Sequence, residues 1–353
     1  MPAFQILPKI YVPTFEMTVA DVPLPMPVAK SVVQISVTQH MNPPDSFSIQ
    51  INDPALSLIS VETGIFTEGN RVEIGMGFVG NTKKLIVGEI TAVSADFPSS
   101  GAASLTVEGF DLLHKLSRGN AYRRWEGPTA NSGMPDSTIV VQIVSDIQMA
   151  PDVDTTPARN EPRVQNHISD LAFLQLLAKL NGFYVWADGS TIHFKQQRPP
   201  ATNLSMEWGK TLMSFSPRLT TAGQVDSVEV RGWDPVQKQS VSAMANRTGD
   251  SLAPTGQTQI AQGSGGASAL SIADASVTSA QDAQAYAQSI IAGQQQSGVT
   301  GSGVSVGQPD MQAGSTLDLG GIGRFSGTYV VNQVTHTLGS GGYQTSFQAW
   351  KQS

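Results

Sequence analysis

The chain has 353 residues, a net charge of -7, no cysteine and only 14% charged residues. The lack of cysteine excludes disulfides, thiolate zinc sites, iron–sulfur clusters and cysteine nucleophiles. No basic run provides the Lys/Arg footprint of a specific duplex-binding domain, so sequence-specific nucleic-acid binding is not expected. The N-terminus lacks the pattern of a signal peptide, and no run reaches the roughly 20 apolar residues of a membrane span. The chain is therefore expected to be made in the cytoplasm.

The first third of the chain predicts an all-β domain. Its apolar runs are short, rich in β-branched residues and bounded by Gly, Pro, Asn or Asp, as in a sandwich or barrel. The predicted strands are residues 31–40, 45–53, 70–78, 83–97 and 103–111.

The middle of the chain changes to a helical period. Residues 135–147 place isoleucines four apart on one face, and Asp136 or Ser137 can cap the start of this helix. The sequence therefore predicts a helix in this segment.

A second helix and a hairpin follow within residues 169–194. Ser169 is a suitable N-cap, and Gly182 provides the left-handed residue that ends a helix. Asp188 and Gly189 are typical of a two-residue hairpin turn, because both residues tolerate positive φ. The segment predicts a helix packed beside a hairpin.

The remaining residues return mainly to β structure. Residues 204–242 read as strands, and residues 303–350 form a second β-rich stretch. Between them, residues 246–276 lack periodicity and predict a long loop or arm, whereas residues 278–296 predict a helix.

Parts of the sequence resemble one another, which predicts a duplicated β domain. In the strongest match, Gly69 aligns with Gly314 and Val72 aligns with Leu317. The three pairs of matching segments are 68–78 with 313–323, 87–110 with 326–350, and 228–234 with 105–111.

None of the histidines has the spacing of a metal site, and no H-E-x-x-H or H-x-H motif occurs. His336 aligns with Ala95 or Asp96 in the first copy, so the duplicated fold does not require a histidine there. We therefore expect it to be a structural residue. The five histidines are His40, His114, His167, His193 and His336.

Catalytic and cofactor motifs are also missing. There is no G-x-S-x-G nucleophile motif, and the glycine-rich residues 301–307 lack the lysine of a phosphate-binding loop. The sequence thus predicts no catalytic, cofactor-binding or metal-binding residues and no cofactor.

Two alternatives stay open. A tail-associated peptidoglycan hydrolase needs two carboxylates in one cleft, which could lie far apart in sequence. The candidates are Glu16, Glu62, Glu68, Glu73, Glu89, Glu108, Glu126 and Glu161. A glycan-binding β module needs exposed aromatic side chains, although tryptophans in apolar surroundings are more typical of core or interface anchors. The tryptophans are Trp125, Trp186, Trp208, Trp233 and Trp350.

The chain resembles the late control protein D family, the baseplate hub proteins of contractile phage tails and contractile injection systems. The resemblance lies in "GNRVEIGMGF", "LTVEGFDLLHKLSRG", "SDLAFLQLLAKLNGFYVWADGSTIHF" and "VEVRGWDP", and most specifically in the closing "GTYVVNQVTHTLGSGGYQTSFQAW". These segments occur in the family's order over most of the chain.

The resemblance implies a non-enzymatic, mainly β protein with a small α/β middle segment. It implies two related β-barrel domains per chain, which form a pseudo-sixfold ring as a homotrimer. The expected division is a first barrel at 1–118, an α/β middle domain at 119–203 and a second barrel at 204–353, the last carrying the arm and the third helix.

The family's role is to join a hexameric tail tube to a trimeric spike. The resemblance therefore implies as partners the tail tube or tube-initiator protein and other baseplate proteins. Because no repetitive tail follows the second barrel, we expect the spike to be a separate protein. Assembly would take place in the bacterial cytoplasm, and the product would be part of the virion tail or injection particle.

Overall fold

The computed structural model describes most of the chain and shows a mainly β protein. The described residues are 12–42, 44–54, 56–58, 64–129, 132–158, 161–198, 202–220, 225–234, 237–246, 269–274, 277–296 and 298–352. No helix in these ranges is long and apolar enough to cross a membrane.

The first part of the chain forms seven strands and one short helix. They are β1 (Pro13–Val19), β2 (Val22–Pro23), α1 (Met26–Ser31), β3 (Val32–His40), β4 (Ser46–Asn52), β5 (Arg71–Phe78), β6 (Asn81–Asp96) and β7 (Ser104–Asp111). The predicted strands of this region are confirmed.

The middle part begins with a 3-10 helix, Leu112–Ser117, and mixes helices with short strands. Its elements are β8 (Ala121–Trp125), α2 (Asp136–Asp146), β9 (Ala150–Val153), β10 (Arg163–Ile168), α3 (Asp170–Asn181), β11 (Tyr184–Asp188) and β12 (Thr191–Lys195).

The last part contains nine strands and one long helix. They are β13 (Asn203–Glu207), β14 (Leu212–Leu219), β15 (Ser227–Asp234), β16 (Gln239–Asn246), β17 (Ala269–Ala273), α4 (Ala280–Gln296), β18 (Val299–Val306), β19 (Thr316–Gly320), β20 (Gly327–Gly339) and β21 (Gly342–Lys351). A 3-10 turn, Gly323–Phe325, precedes β20.

One sheet of 13 strands organises the molecule. Its strand order is β14-β18-β21-β20-β3-β4-β7-β6-β5-β1-β2, and β19 and β13 extend it from β20. The two β-rich halves, which the sequence predicts as two barrels, are thus joined by direct pairing of β20 with β3. Each half has its own apolar core, one around Ile35, Ile49 and Ile74 and one around Leu317 and Tyr329.

The middle part packs around α2 and α3. Ser169 accepts a hydrogen bond from the backbone N–H of Ala172, and Gly182 ends α3 with φ of +67°, as predicted. The cap predicted for α2 is wrong, because Pro135 is the N-cap and Asp136 is the first helical residue. Asp136 instead accepts hydrogen bonds from the buried Arg163. The two-residue hairpin turn lies at Gly189 and Ser190, one residue later than predicted, because Asp188 pairs with Thr191.

Residues 225–296 differ from their predicted place in the second barrel. Strands β16, β15 and β17 form a separate sheet that packs on α4, and Leu180 of α3 contributes to this core. The predicted loop at 246–276 therefore contains a strand, β17, which pairs in parallel with β15. Residues 247–268 and 275–276 of that prediction lie outside the described residues. Since β15 is not part of the main sheet, the sequence match of 228–234 with 105–111 does not reflect equivalent strands.

Candidate assembly surface

His336 is a fully buried core residue on β20. Its Nε2 lies 2.9 Å from the carbonyl oxygen of Met311, and its Nδ1 lies 2.8 Å from the hydroxyl of Tyr343. A carbonyl only accepts, so Nε2 carries the proton and Nδ1 accepts from Tyr343. Burial lowers the pKa of His336 to about 4, which keeps the ring neutral at pH 7. Both nitrogens are satisfied within the core, as expected of a structural histidine.

Two of the other histidines also lie among structural partners. His193 stacks on Trp186 and its Nδ1 is 2.8 Å from a carboxylate oxygen of Asp152. His114 lies in the 3-10 helix after β7, with Nδ1 2.6 Å from the carbonyl oxygen of Asp111. In the described part of the chain no three His, Asp or Glu side chains are grouped as a metal site would require.

The structure brings together two pairs of carboxylates that the sequence did not indicate. Asp45 and Asp111 meet where β4 begins and β7 ends, and the Asp45 N–H donates to Asp111 Oδ2 at 3.0 Å. Burial raises the pKa of Asp111 to about 7, and burial and the charge of Asp111 raise the pKa of Asp45. The pair borders a cavity of about 240 Å³ that Arg198 also lines.

The second pair is Glu161 and Asp234. Burial, followed by a hydrogen bond with Asp234, raises the pKa of Glu161 to about 6. The pair lines a cavity of about 560 Å³ between the middle part and the separate sheet of β15, β16 and β17 that packs on α4. Two carboxylates in direct hydrogen-bond contact leave no room between them for a scissile sugar bond, unlike the separated pair of a glycosidase.

The tryptophans do not form one binding face. Trp125 is buried, and Trp186 lies between His193 and the guanidinium of Arg198. Trp208 and Trp233 are more than half exposed, but Trp208 follows β13 of the main sheet and Trp233 lies on β15 of the separate sheet. The glycine-rich residues 301–307 belong mostly to β18, where a Cβ on Gly301 or Gly303 would collide with aromatic rings across the sheet.

The two halves of the main sheet repeat each other in backbone detail. Gly69 has φ of +87° and its N–H donates to the carbonyl of Ile90 at 2.8 Å. Gly314 has φ of +89° and its N–H donates to the carbonyl of Val331, also at 2.8 Å. The predicted alignment of Gly69 with Gly314 is thereby confirmed.

The repeat extends over six strands. Strands β1, β3, β4, β5, β6 and β7 correspond in chain order to β13, β14, β18, β19, β20 and β21, and the order β3-β4-β7-β6-β5-β1 becomes β14-β18-β21-β20-β19-β13. One difference is that β1 pairs antiparallel with β5, whereas β13 pairs parallel with β19. The strands β15, β16 and β17 and helix α4 are an insertion between β14 and β18 of the second copy.

Irregularities of the ladder are repeated as well. The register shifts at Thr91 in β6 and at Asn332 in β20, and again at Val33 in β3 and at Met213 in β14. Such bulges fix the register of a strand pair. Ala95 is four residues after the bulge in β6 and His336 is four residues after the bulge in β20, so Ala95 is the counterpart of His336.

The copies meet at the pairing of β20 with β3. Thr335 lies opposite Thr38, and their hydroxyl oxygens are 3.0 Å apart. The pairing runs from Gln333 with His40 to Leu338 with Ile35. This junction defines how one copy of the repeat binds the next.

The counterparts of these two edges are open. The paired edge of β20 begins at residue 333 and corresponds to residues 92–96 on β6. The paired edge of β3 begins at residue 35 and corresponds to residues 215–219 on β14. Among the described residues, no strand pairs with the second edge of 92–96 or of 213–219. Unpaired edges are templates for strand addition, so the chain carries two complementary ends.

The two ends of the strands differ in what they carry. The middle part leaves the sheet after β7, and the α4 insertion leaves after β14, so both emerge at the same rim. Arg198 of the middle part donates there to the carbonyls of His40 and Met41. At the opposite rim the bulged residues Val33 and Met213 expose 42% and 54% of their surface at equivalent positions. One rim thus has repeated features, and the other has features present once per chain.

The family model of the Alg8 N-terminal domain matches residues 12–340. This chain belongs to the Alg8 N-terminal domain family. A search of the curated proteins finds no match to this sequence.

Solved structures share the fold of this family member at low sequence identity. The 43 kDa tail protein of prophage MuSo2 from Shewanella oneidensis has a TM-score of 0.71 and 11% identity, with 96% of this chain and 98% of that chain covered. The tail protein from Neisseria meningitidis MC58 has a TM-score of 0.70 and 13% identity, with 97% of each chain covered. A component of the E. coli type VI secretion system has a TM-score of 0.61 and 16% identity, with 96% and 77% covered. The chain therefore has a fold found in phage tail proteins and in a type VI secretion component.

Proposed function

We propose that this chain is the structural hub of a contractile tail or injection-system baseplate, of the late control protein D type. In the particle it forms a homotrimer that joins a hexameric tail tube to a trimeric spike. The observation that carries the proposal is the internal repeat with two open, complementary edges. Three chains with two copies each supply six similar units, which is the number that a sixfold tube requires.

In this proposal, residues 1–118 and 204–353 without the insertion 225–296 are the two tube-like halves. Residues 119–203 are the middle domain. The strand pairing and the separate cores of the two halves support this division.

Ring closure repeats the internal junction between chains. Residues 92–96 of β6 pair antiparallel with β14 of the neighbouring chain, as β20 pairs with β3 within one chain. The internal register puts Ser94 opposite Arg218 of the neighbour, the counterpart of Thr335 opposite Thr38. Each junction then has the same strand register, although Pro217 lacks the N–H of its counterpart Val37. A rotation that closes yields a ring rather than a fibre.

Pro217 is compatible with an edge that is open in the single chain. The Thr220 N–H donates to the carbonyl of Gly298 on the β18 side, and successive N–H groups along a strand point to opposite edges. The nitrogen of Pro217 therefore lies on the free edge, where proline costs no hydrogen bond within the chain. The N–H groups of Phe215 and Leu219 remain available on that edge for a partner strand.

The two rims match the two partners. The rim with equivalent exposed side chains, Val33 and Met213, would repeat six times around the ring and suits the hexameric tube. The rim that carries the middle domain would repeat three times and suits the trimeric spike and other baseplate proteins.

Cysteine cross-linking tests the proposed ring, because the natural chain has no cysteine. We expect the double variant Ser94→Cys/Arg218→Cys to form disulfides between chains on mild oxidation. Opposite residues of a non-hydrogen-bonded pair have the Cβ separation that a disulfide tolerates. A non-reducing gel should contain monomer, dimer and trimer bands and no larger species.

Two controls make the result specific. Thr38→Cys/Thr335→Cys should form a disulfide within one chain and leave the mass unchanged. Ser94→Cys/Ser214→Cys is out of register by four residues and should not cross-link. Negative-stain images of the cross-linked product should contain threefold rings with six lobes. A monomer band alone at high protein concentration would refute the homotrimer.

A further inference from the structure

One face of the repeated sheet carries mainly hydroxyl and amide side chains. Its large apolar members are Val304 and Val306 on β18, together with Phe110 and Trp350 at the rim where β7 and β21 end. It is the face opposite the two apolar cores, and it alternates with the core residues along each strand. In the first copy it presents Gln34, Ser36, Thr38, Ser46, Ser48, Gln50, Ser94, Ser104 and Thr106. In the second copy it presents Ser214, Ser216, Thr300, Ser302, Gln333, Thr335, Thr337, Gln344, Ser346 and Gln348.

This hydroxyl face is concave at equivalent places in both copies. A groove of about 290 Å³ is bordered by Ser36 and Ser48 in the first copy. A groove of about 220 Å³ is bordered by their counterparts Ser216 and Ser302 in the second copy. The second layer of each half, with β1, β5, β13 and β19, belongs to the opposite side of the sheet with the cores. In a closed ring the concave face points towards the axis. The other side of the sheet also carries the second layer, so it takes up more space and fits the larger outer circumference.

The hydroxyl face carries almost no charge. Between the two rims, the charged side chains of its described strands are Asp96, Glu108 and Arg218. In the proposed ring, Arg218 lies opposite Ser94 of the next chain and diagonal to Asp96, so two of the three charges offset each other. The wall therefore has about one net negative charge per chain, although the whole chain has a net charge of -7. Charge is concentrated elsewhere on the molecule.

A neutral wall indicates the class of cargo. A nucleic acid would be held only by a basic wall or by stacked aromatic side chains, and an acidic wall would be enough to prevent adhesion. A polypeptide carries both signs of charge and would adhere to a wall of either sign. Hydroxyl and amide groups bind water as readily as they bind a passing chain, so they offer no net attraction.

We infer that the hydroxyl face lines the channel of the ring and that this channel passes polypeptide without selecting it by charge. The inference rests on the proposed hub function. It adds the identity of the channel wall and the chemical class of what moves through it.

Charge insertion in the assembled particle tests the inference. Ser48→Lys/Ser302→Lys and Ser48→Glu/Ser302→Glu add one sign of charge at equivalent positions of the two copies. The control Gln239→Lys adds the same charge on exposed β16. After particles are triggered, released protein is measured on a gel and released nucleic acid is measured with a dye. We expect both lysine and glutamate variants to slow protein release at least about tenfold, with the control unchanged.

The other outcomes overturn the inference in distinguishable ways. If only the lysine variants slow release, the transported polymer is a polyanion. If neither sign has an effect while the Ser94→Cys/Arg218→Cys cross-link still yields trimers, the hydroxyl face does not line the path. If that cross-link fails in the unmodified background, the proposed hub itself is wrong.

Discussion

The carbonyl oxygen of Met311 lies 2.9 Å from Nε2 of His336, and together they fasten the loop before β19 to the core of the second half. On the other side of the ring, the Tyr343 hydroxyl donates to Nδ1. The histidine thus connects three segments and works only in its neutral form. Its counterpart Ala95 has no such role, so the histidine is an addition specific to the second copy.

Acid should destabilise the protein through His336. The pKa of His336 falls from 6.5 to about 4 on folding because of burial, so its stabilising effect is complete above pH 6.5 and is lost as the pH falls towards 4. The full loss corresponds to about 3 kcal/mol. Urea unfolding at pH 7 and pH 4.5 should therefore differ more for the wild type than for His336→Gln. Equal differences for the two proteins would contradict the assignment.

A rise in pH through 7 should destabilise the protein through Asp45 and Asp111. Burial raises the pKa of Asp111 from 3.8 to about 7, so the folded state favours its protonated form. Stability from this group is complete below pH 4 and is lost as the pH rises through 7. Between pH 5 and pH 8, Asp111→Asn should reduce the pH-dependent loss of unfolding free energy by about 2 to 3 kcal/mol. The exposed Asp318→Asn serves as the control and should leave the loss unchanged.

Two glycines of the first half should respond differently to alanine. A Cβ on Gly109 would lie 2.1 Å from the carbonyl oxygen of Glu89 and 2.4 Å from the ring of Phe47, so the sheet would have to move. A Cβ on Gly69 meets nothing within 4 Å, and only its φ of +87° resists substitution. We expect Gly69→Ala to cost about 1 kcal/mol and Gly109→Ala about 3 kcal/mol or more in thermal or urea unfolding. Equal costs would mean that the strand pairing is looser than described.

Removal of Arg163 should detach the α4 insertion from the middle part. Its guanidinium donates to Asp136 of α2 and to Asp282 of α4, and all three side chains are buried. Arg163→Met removes the cation facing two buried carboxylates, which costs about 3 to 5 kcal/mol in such settings. Hydrogen exchange should accelerate in residues 280–296 more than in β4. Uniform acceleration in both would indicate global unfolding instead of local detachment.

The sequence by itself determined the elements that local chemistry controls. The helix 170–181 begins at Ser169 and ends at Gly182, because an N-cap hydroxyl and a left-handed glycine act within a few residues. The alternation in β3, β4 and β7 is equally local, and so is the match of Gly69 with Gly314, because a positive φ demands glycine in both copies.

Tertiary structure decided what depends on distant partners. The pairing of β20 with β3 joins residues about 300 positions apart, and no local pattern specifies which edge a strand will bind. The sequence did not predict the separate sheet of β15, β16 and β17, because the alternation of apolar and polar residues in these strands is that of any half-buried strand. The carboxylate pairs Asp45–Asp111 and Glu161–Asp234 could not be predicted either, because the desolvation of a carboxylate depends on the packing of all surrounding segments. The open edges of β6 and β14, which carry the assembly proposal, can be identified only from the strand pairing of the complete sheet.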